Sequence, residues 1–415
     1  MKRIYTSLDI GSDTIKIVVC ELYQNRLNLL AATSYKSKGI KKGLITDVDL
    51  AAESIKGAIS DIEGMLGIKI KKVITSIPSF NAEYSTIKGS HKIDNENGIV
   101  TSDDVIAALE DASKTAQYSS REMVTILPID YSVDDTAFVR EPKGMKCSNL
   151  GCRAVLVTTP KKNVYSVVGL LEAMGIEVVD ITLNDIGDIY SFNNKSFEDK
   201  VGAIINIGSE ITNVSLYNRS ILVKSSVLNI GGKDIDNTIS FKYKVDIPTA
   251  INLKLKFALA HKKNASVNDI IEVKNATSNN FKINQFEISE VVMYKLNEIL
   301  NAAKKEINLL TSRKIDYIII TGGTSNMQGF EYVVRDIFGD NANIGNVKML
   351  GIRDNMYSSC IGNLVYFISK LKLKNMDYSM VNDTEVYQMV NTNSKRLSTS
   401  DSMLGKIFGF FFTES

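Results

Sequence analysis

Apolar and polar positions alternate from the first residues of the chain. Arg3–Leu8 predicts a strand and Gly11–Thr14 a turn. Ile15–Tyr23 predicts a second strand, in which Ile15, Ile17 and Val19 alternate with Lys16, Val18 and Cys20. Residues 27–35 predict a third strand. The period then changes: over 50–66, Ile55, Ile59, Ile62 and Leu66 fall on one helical face. Lys72–Ile77 predicts a strand ended by Pro78. Thr101–Ser120 opens as a capped helix, with Thr101 or Ser102 accepting from the first amides and Asp103 and Asp104 at the positive end of the dipole. Residues 122–158 are strand-like around a turn at Glu141–Met145. Pro160–Gly175 predicts a helix and Ile176–Thr182 a strand. A second strand–turn–strand follows at Gly202–Ile207, Gly208–Thr212 and Asn213–Tyr217. Its echo of the chain's start predicts two related halves facing one cleft. Residues 248–260, 285–312 and 328–338 have helical spacing, Ile315–Thr321 predicts a strand feeding Gly322-Gly323, and Tyr357–Leu373 a long apolar helix.

Composition narrows the class. With 44% apolar and 23% charged residues the chain has globular proportions, and its 415 residues are about three domains' worth. Lys plus Arg (49) nearly cancel Asp plus Glu (47), without the basic excess expected of a nucleic-acid binder. Four cysteines in so long a chain predict reduced thiols rather than a disulfide framework. Cys147 and Cys152 lie close together without a nearby His, weak grounds for zinc. No run of about 20 apolar residues predicts a membrane span. Asp9 interrupts the N-terminus too early for a signal peptide, so a cytosolic protein is expected.

Three glycine loops each follow an apolar strand: Asp9–Thr14, Asn206–Thr212 and Thr321–Ser325. One such loop is ordinarily a plain turn. Three at strand ends, two of them related as a repeat, point to phosphate binding. Gly11 and Gly208 would let backbone amides approach phosphate oxygens, and Gly322 and Gly323 would let backbone lie against a nucleoside. Asp9 could hold a magnesium-bound water, or simply form a turn. Neither a GxxxxGK[ST] loop nor GxGxxG is present.

These residues resemble those of the FtsA family within the actin and DnaK-type chaperone superfamily. Asp9-Ile10-Gly11-Ser12 resembles the superfamily's first phosphate loop, and Asn206-Ile207-Gly208-Ser209 the second. Ile230-Gly231-Gly232-Lys233-Asp234-Ile235 is similar to its Gly-Gly element, and Ile318-Ile319-Ile320-Thr321-Gly322-Gly323 to its adenosine motif. Ala250-Ile251-Asn252-Leu253-Lys254 stands where the family has Ala-Glu-x-x-Lys. Residues 84–161 resemble the family's inserted subdomain, most specifically at Pro142-Lys143-Gly144-Met145.

The resemblance implies an α/β, actin-like two-lobed fold with duplicated mixed sheets and an FtsA-type insert. Lobe 1 would comprise 1–83, 162–198 and 355–374, with the insert at 84–161. The lobe 2 core would be 199–245 with 304–354, and its outer subdomain 246–303. A linker over 375–401 and a tail over 402–415 would follow. ATP and Mg2+ are the implied cofactors. Asp9, Gly11, Ser12, Asp13, Lys16, Gly208, Ser209, Gly231, Gly232, Lys254, Gly322 and Gly323 would hold the nucleotide, and Asp9 the magnesium through water. Departures weaken the chemistry. Asn206 and Asn213 replace usual Asp residues, Glu210 stands where Gly is common, and Ile251 replaces Glu. Nucleotide binding with feeble or no hydrolysis is therefore expected, with Asn206 and Asp9 at the catalytic positions.

The tail and one helix point to partners. If Ser402–Thr413 winds as a helix, Leu404, Ile407, Phe408 and Phe411 share a face, flanked by Met403, Phe410 and Phe412. Twelve residues reach about 18 Å, too short to cross a bilayer but enough to lie in its surface. The alternative is a tail folded back onto the protein or a neighbour. The family likewise ends in a linker and a membrane-targeting helix, which implies a peripheral protein on the cytoplasmic membrane face at the division site. Lys295 and Glu298, three apart on one helix face, resemble the family's site for the C-terminal peptide of the tubulin-like FtsZ. Their alternative is a solvated helix face. Self-association into protofilaments and further division partners at the insert are also implied. The leading expectation is an ATP-binding adaptor tethering FtsZ to the membrane. A pilus-assembly protein of similar build and a small-molecule kinase of the superfamily are the alternatives.

Overall fold

The computed structural model describes residues 3–114, 120–192, 194–274 and 280–389. The first lobe forms on the predicted alternation. Strands β1 (Arg3–Ile10), β2 (Thr14–Tyr23) and β3 (Arg26–Lys36) run antiparallel. After the short β4 (Ile40–Lys41) and β5 (Leu44–Ile45) comes helix α1 (Val48–Leu66). The Asp47 carboxylate caps α1 by accepting from Leu50 N at 3.0 Å, and Gly67 ends it at φ +73°. Its stripe of Ile55, Ile59, Ile62 and Leu66 is buried, as the period predicts. Strand β6 (Lys72–Ile77) then pairs parallel with β1.

The insert follows as β7 (Glu83–Lys92), α2 (Ser102–Lys114), β8 (Arg121–Val133), β9 (Ala137–Val139) and β10 (Asn149–Pro160). Its antiparallel sheet has the order β7-β10-β8-β9. Thr101 and Asp104 cap α2 reciprocally: Thr101 N donates to Asp104 Oδ2 at 2.8 Å and Asp104 N to Thr101 Oγ1 at 3.3 Å. Cys147 and Cys152 are buried free thiols here. The chain returns to lobe 1 through α3 (Lys161–Ala173) and β11 (Glu177–Leu183), which completes the sheet β11-β6-β1-β2-β3. It leaves through α4 (Asn184–Phe192), a helix that periodicity did not predict.

Lobe 2 repeats this plan. Strands β12 (Val201–Ile207), β13 (Thr212–Asn218) and β14 (Ile221–Leu228) run antiparallel. Helices α5 (Gly232–Tyr243) and α6 (Ile247–Lys256), the hairpin β15 (Ile270–Lys274) and β16 (Asn280–Asn284), and the long α7 (Gln285–Leu310) follow, and α5, α6 and α7 share one core with the sheet. Strand β17 (Tyr317–Thr321), α8 (Phe330–Phe338) and β18 (Ala342–Ile344) close the sheet. Its order, β14-β13-β12-β17-β18, with β17 parallel to β12 and β18 parallel to β17, matches lobe 1 strand for strand. The duplication read from two hairpins thus extends to whole sheets.

Helix α9 (Ser358–Leu373) returns to lobe 1 and crosses α4 glycine on glycine. A Cβ on Gly362 would stand 1.6 Å from Gly187 O. The expected tether does not begin at 375. Met380 N donates to Ile4 O at 2.9 Å, Ile4 N donates to Ser379 Oγ at 3.1 Å, and Met380, Val381 and Met389 are buried. The cause is an open edge. Strand β6 pairs with β1 only over Ser7–Asp9, so the backbone at Ile4 needs another partner, which 379–381 supply. Residues 390–415, including the predicted amphipathic tail, lie outside the described residues.

Candidate functional site: the cleft between the duplicated sheets

Each sheet ends its first hairpin at the cleft with matching register. In lobe 1, Asp9 faces Lys16 across β1 and β2; in lobe 2, Asn206 faces Asn213 across β12 and β13. The turns close alike, Gly11 N donating to Thr14 O at 3.2 Å and Gly208 N to Ile211 O at 2.9 Å. The chemistry differs. Lys16 Nζ donates to Asp9 Oδ2 at 2.7 Å in a nearly buried ion pair. Burial alone would lower the Lys16 pKa, but Asp9 beside it raises it overall. Lobe 2 carries two neutral amides at the equivalent positions.

The third loop is held by β17 lying parallel beside β12. Gly322 turns out of β17 at φ +90°, where a Cβ would stand 2.5 Å from both Asn206 Oδ1 and Ile207 O. Only glycine fits there. The start of α5 docks on the second hairpin turn through Gly232 N to Gly208 O (2.9 Å) and Lys233 N to Ser209 O (2.7 Å). Asp246 caps α6 through Thr249 N at 2.9 Å, and Pro248 stands in its first turn. This helix presents Ile251, Lys254 and Leu255 to the cleft.

The cleft has a volume of about 430 Å³, within the roughly 300–1,000 Å³ range of ligand pockets. Asp9, Gly11, Ser12, Asp13, Lys16, Asn206, Gly208, Ser209, Gly232, Lys254, Gly322 and Gly323 all line it. Gly231 packs behind the second loop instead, where a Cβ would meet Ser209 O at 2.6 Å. The lining combines the three glycine loops and the Asp9–Lys16 pair with the apolar side chains of Ile251, Leu255, Met327 and Met356. Among the described residues no group of three His, Cys, Asp or Glu could hold a metal by itself.

Three features escaped sequence reading. Lys254 Nζ lies 2.8 Å from Asp236 Oδ1 in a nearly buried pair, and burial raises the Asp236 pKa against the pull of Lys254. Glu210 ties the lobes together: Oε1 accepts from Lys233 Nζ at 2.9 Å and Oε2 from Lys42 N at 2.7 Å. Burial would raise its pKa, but these donors hold it below the usual range. The carboxylate that meets Asn206 is instead Asp188 of α4, accepting from Asn206 Nδ2 at 2.7 Å. Burial pushes Asp188 up to about 7 against the lowering by Asn206, Ser358 and Ser359. The only sequence signal for it was the Asp185–Asp188 spacing of three. Away from the cleft, Lys295 and Glu298 pair at 2.7 Å on α7, beside the exposed Tyr294.

Two sheets of identical topology, joined by crossing helices and closing on one cleft, define the actin-like class. MreB5 of Spiroplasma citri superposes with a TM-score of 0.55 at 16% identity, covering 90% of this chain and 99% of that one. A chain of a PilM-PilN type IV pilus biogenesis complex gives 0.58 at 15%, covering 87% and 98%. Within the class, residues 203–362 match the model of cell division protein FtsA, and 82–158 match the SHS2 domain inserted in FtsA. FtsA of Streptococcus pneumoniae is 27% identical over 86% of this chain and 78% of its own length. FtsA of Bacillus subtilis is 24% identical over 94% and 90%. The chain belongs to the FtsA family of actin-like cell-division proteins.

Proposed function

We propose that this chain binds ATP in the cleft, assembles into actin-like filaments and tethers FtsZ to the cytoplasmic membrane face at the division site. The observation that carries the nucleotide assignment is the convergence of three glycine loops with Asp9, Lys16 and Lys254 in one cleft. Structural neighbours of the class include MreB5 bound to ADP and to AMPPNP. The two hairpin turns would take the phosphates on backbone amides, with Lys16 beside them. Lys16 holds Asp9 Oδ2, and Oδ1 would accept from a water of a magnesium ion, which would neutralise phosphate charge. The apolar side chains of Ile251, Leu255, Met327 and Met356, which line the cleft, would face the nucleoside. With neutral Asn206 at the head of the second loop, the carboxylate usual at that position is replaced by an amide, so control of magnesium and of an attacking water weakens and hydrolysis is feeble or absent.

Self-assembly is in keeping with the MamK double helical filament among the neighbours. The Lys295–Glu298 pair would receive the FtsZ peptide, and the apolar face from Met403 to Phe412 would lie in the bilayer surface. Other division proteins would meet the insert.

Electron microscopy of the full chain on lipid monolayers tests the whole reading. Filaments are expected with ATP, and FtsZ is expected to be recruited to them. A bare monolayer, or FtsZ left in solution, refutes it. Three narrower measurements separate its parts. A fluorescent ATP analogue should bind, a chain ending at Asn393 should leave the membrane, and Lys295→Glu should lose FtsZ while keeping its fold.

A further inference from the structure

Helix α4 places two carboxylates three residues apart, Asp185 and Asp188, both fully buried (0% and 1% exposed). Each receives the side chain of one member of the facing pair on β12 and β13. Asn206 Nδ2 donates to Asp188 Oδ2 at 2.7 Å, and Asn213 Nδ2 donates to Asp185 Oδ1 at 3.3 Å. Ser358 and Ser359 Oγ, at the start of α9, both donate to Asp188 Oδ1 at 2.8 Å. In lobe 1 the equivalent hairpin positions carry the acid itself, Asp9, with Lys16 opposite. In lobe 2 the strands carry amides and the acids stand one layer behind.

Asp188 accepts from Asn206 Nδ2 and from both serine hydroxyls, and above about pH 7, where it is an ionised carboxylate that can only accept, it dictates which end of the amide it meets. Asn206 must turn its nitrogen to Asp188. Its oxygen then points the other way, toward Gly322 on the cleft wall. We infer that Asp188 is a positioning residue, which holds the Asn206 amide with its oxygen presented to the cleft at the second phosphate loop. The cleft thereby keeps an acceptor where it has no charge, and the charge sits behind it, shielded by two serine hydroxyls. The positioning of Asn206 follows from the α4–β12 geometry alone; its effect on a ligand rests on the nucleotide reading above.

The arrangement predicts a swap. In Asn206→Asp two carboxylates would meet at hydrogen-bond distance in a buried site and repel. In the double variant Asp188→Asn/Asn206→Asp, one acid and one amide face each other again with their places exchanged. Urea unfolding at about pH 8, where Asp188 is ionised, of the full-length wild type, both single variants and the double variant measures the coupling without any ligand. Asn206→Asp should lower the folding equilibrium constant at least tenfold when Asp188 is present, and less than threefold when Asn is at 188. Equal losses in both backgrounds would overturn the inference. If Asn206→Asp fails to fold, recovery of a folded double variant supports the pairing just as well, and failure of both overturns it.

The second readout is binding of a fluorescent ATP analogue with magnesium and with EDTA. Asp188→Asn frees the amide to turn, and it should weaken binding about tenfold in magnesium while changing it little in EDTA. The double variant should depend on magnesium more steeply than the wild type. A purely structural Asp188 would shift both conditions equally, and that result also overturns the inference. If the wild type binds no nucleotide, the cleft assignment fails, while the unfolding cycle still decides the pairing.

Discussion

The contact of Gly187 with Gly362 makes a single methyl group decisive. Substituting Gly362→Ala would put a Cβ 1.6 Å from Gly187 O and 2.9 Å from Ser191 N, where real contacts begin near 3.4 Å. The obstacle is backbone, so no side chain can rotate away. Helices α4 and α9 would have to separate by an ångström or more. Overpacking of this kind typically costs about 1–3 kcal/mol. The same separation would stretch the Ser358 and Ser359 bonds to Asp188, hydrogen bonds to a charged group worth roughly 1.5–3 kcal/mol each. A loss of about 1–3 kcal/mol is expected from overpacking alone, rising to roughly 4–9 kcal/mol if both bonds are lost. Gly169→Ala is the control: it lies mid-helix in α3 with nothing within 4 Å of its Cβ position. There alanine should be neutral or stabilising by roughly 0.5–1 kcal/mol. Urea unfolding followed by circular dichroism reads both. A Gly362→Ala midpoint equal to that of wild type would refute the packing argument.

Asp188 gives a pH dependence whose sign follows from its raised pKa. The folded protein holds a proton up to about pH 7 that the unfolded chain releases near 3.8. Its contribution is therefore fully present below about pH 4 and lost as pH rises toward and through 7. Three pKa units correspond to roughly 4 kcal/mol. Asp185 on the same helix is shifted in the same direction, while Asn206, Ser358 and Ser359 do not titrate in this range. Asp188→Asn should flatten the decline between pH 5 and 8 in urea midpoints; an unaltered slope would assign it to another group. A chain ending at Asn375 should be less stable than one ending at Met389, because it loses the buried Met380, Val381 and Met389, each worth roughly 1.5–3 kcal/mol before ordering costs. Equal melting curves would show that this segment adds nothing. Glu210→Ala removes the tie from the second hairpin turn to Lys42 N, so amide exchange at Lys42 should rise at least tenfold. No change in exchange would mean that other contacts hold this loop.

Features legible in the sequence were those set by near neighbours in the chain. The β1–β2 and β12–β13 hairpins, the stripe of α1 and the glycines at strand ends follow from periods of 2 and 3.6 and from turn chemistry. They sufficed to expect the duplication and glycine loops at one cleft, while the resemblance to the FtsA family implied that Asp9, Lys16, Asn206 and Lys254 belong to it. Helices α4 and α5 were not visible. Asn184-Asp185-Ile186-Gly187-Asp188 and Gly231-Gly232-Lys233-Asp234 show no apolar period, because the helices bury carboxylates and pack glycines. The tether boundary was misplaced because 376–389 lacks a steady apolar period, yet it supplies partners to an uncovered stretch of β1.

The sequence by itself therefore determined the repeated hairpins, the glycine loops, and the loss of charge at positions 206 and 213. Only the tertiary structure decided what answers that loss. Asp188 and Asn206 are 18 residues apart, Ser359 is a further 153 from Asn206, and Glu210 and Lys42 are separated by 168. No local period encodes such pairs. They exist because two sheets and two crossing helices exclude water from one region, where each polar group must find its partner within the protein.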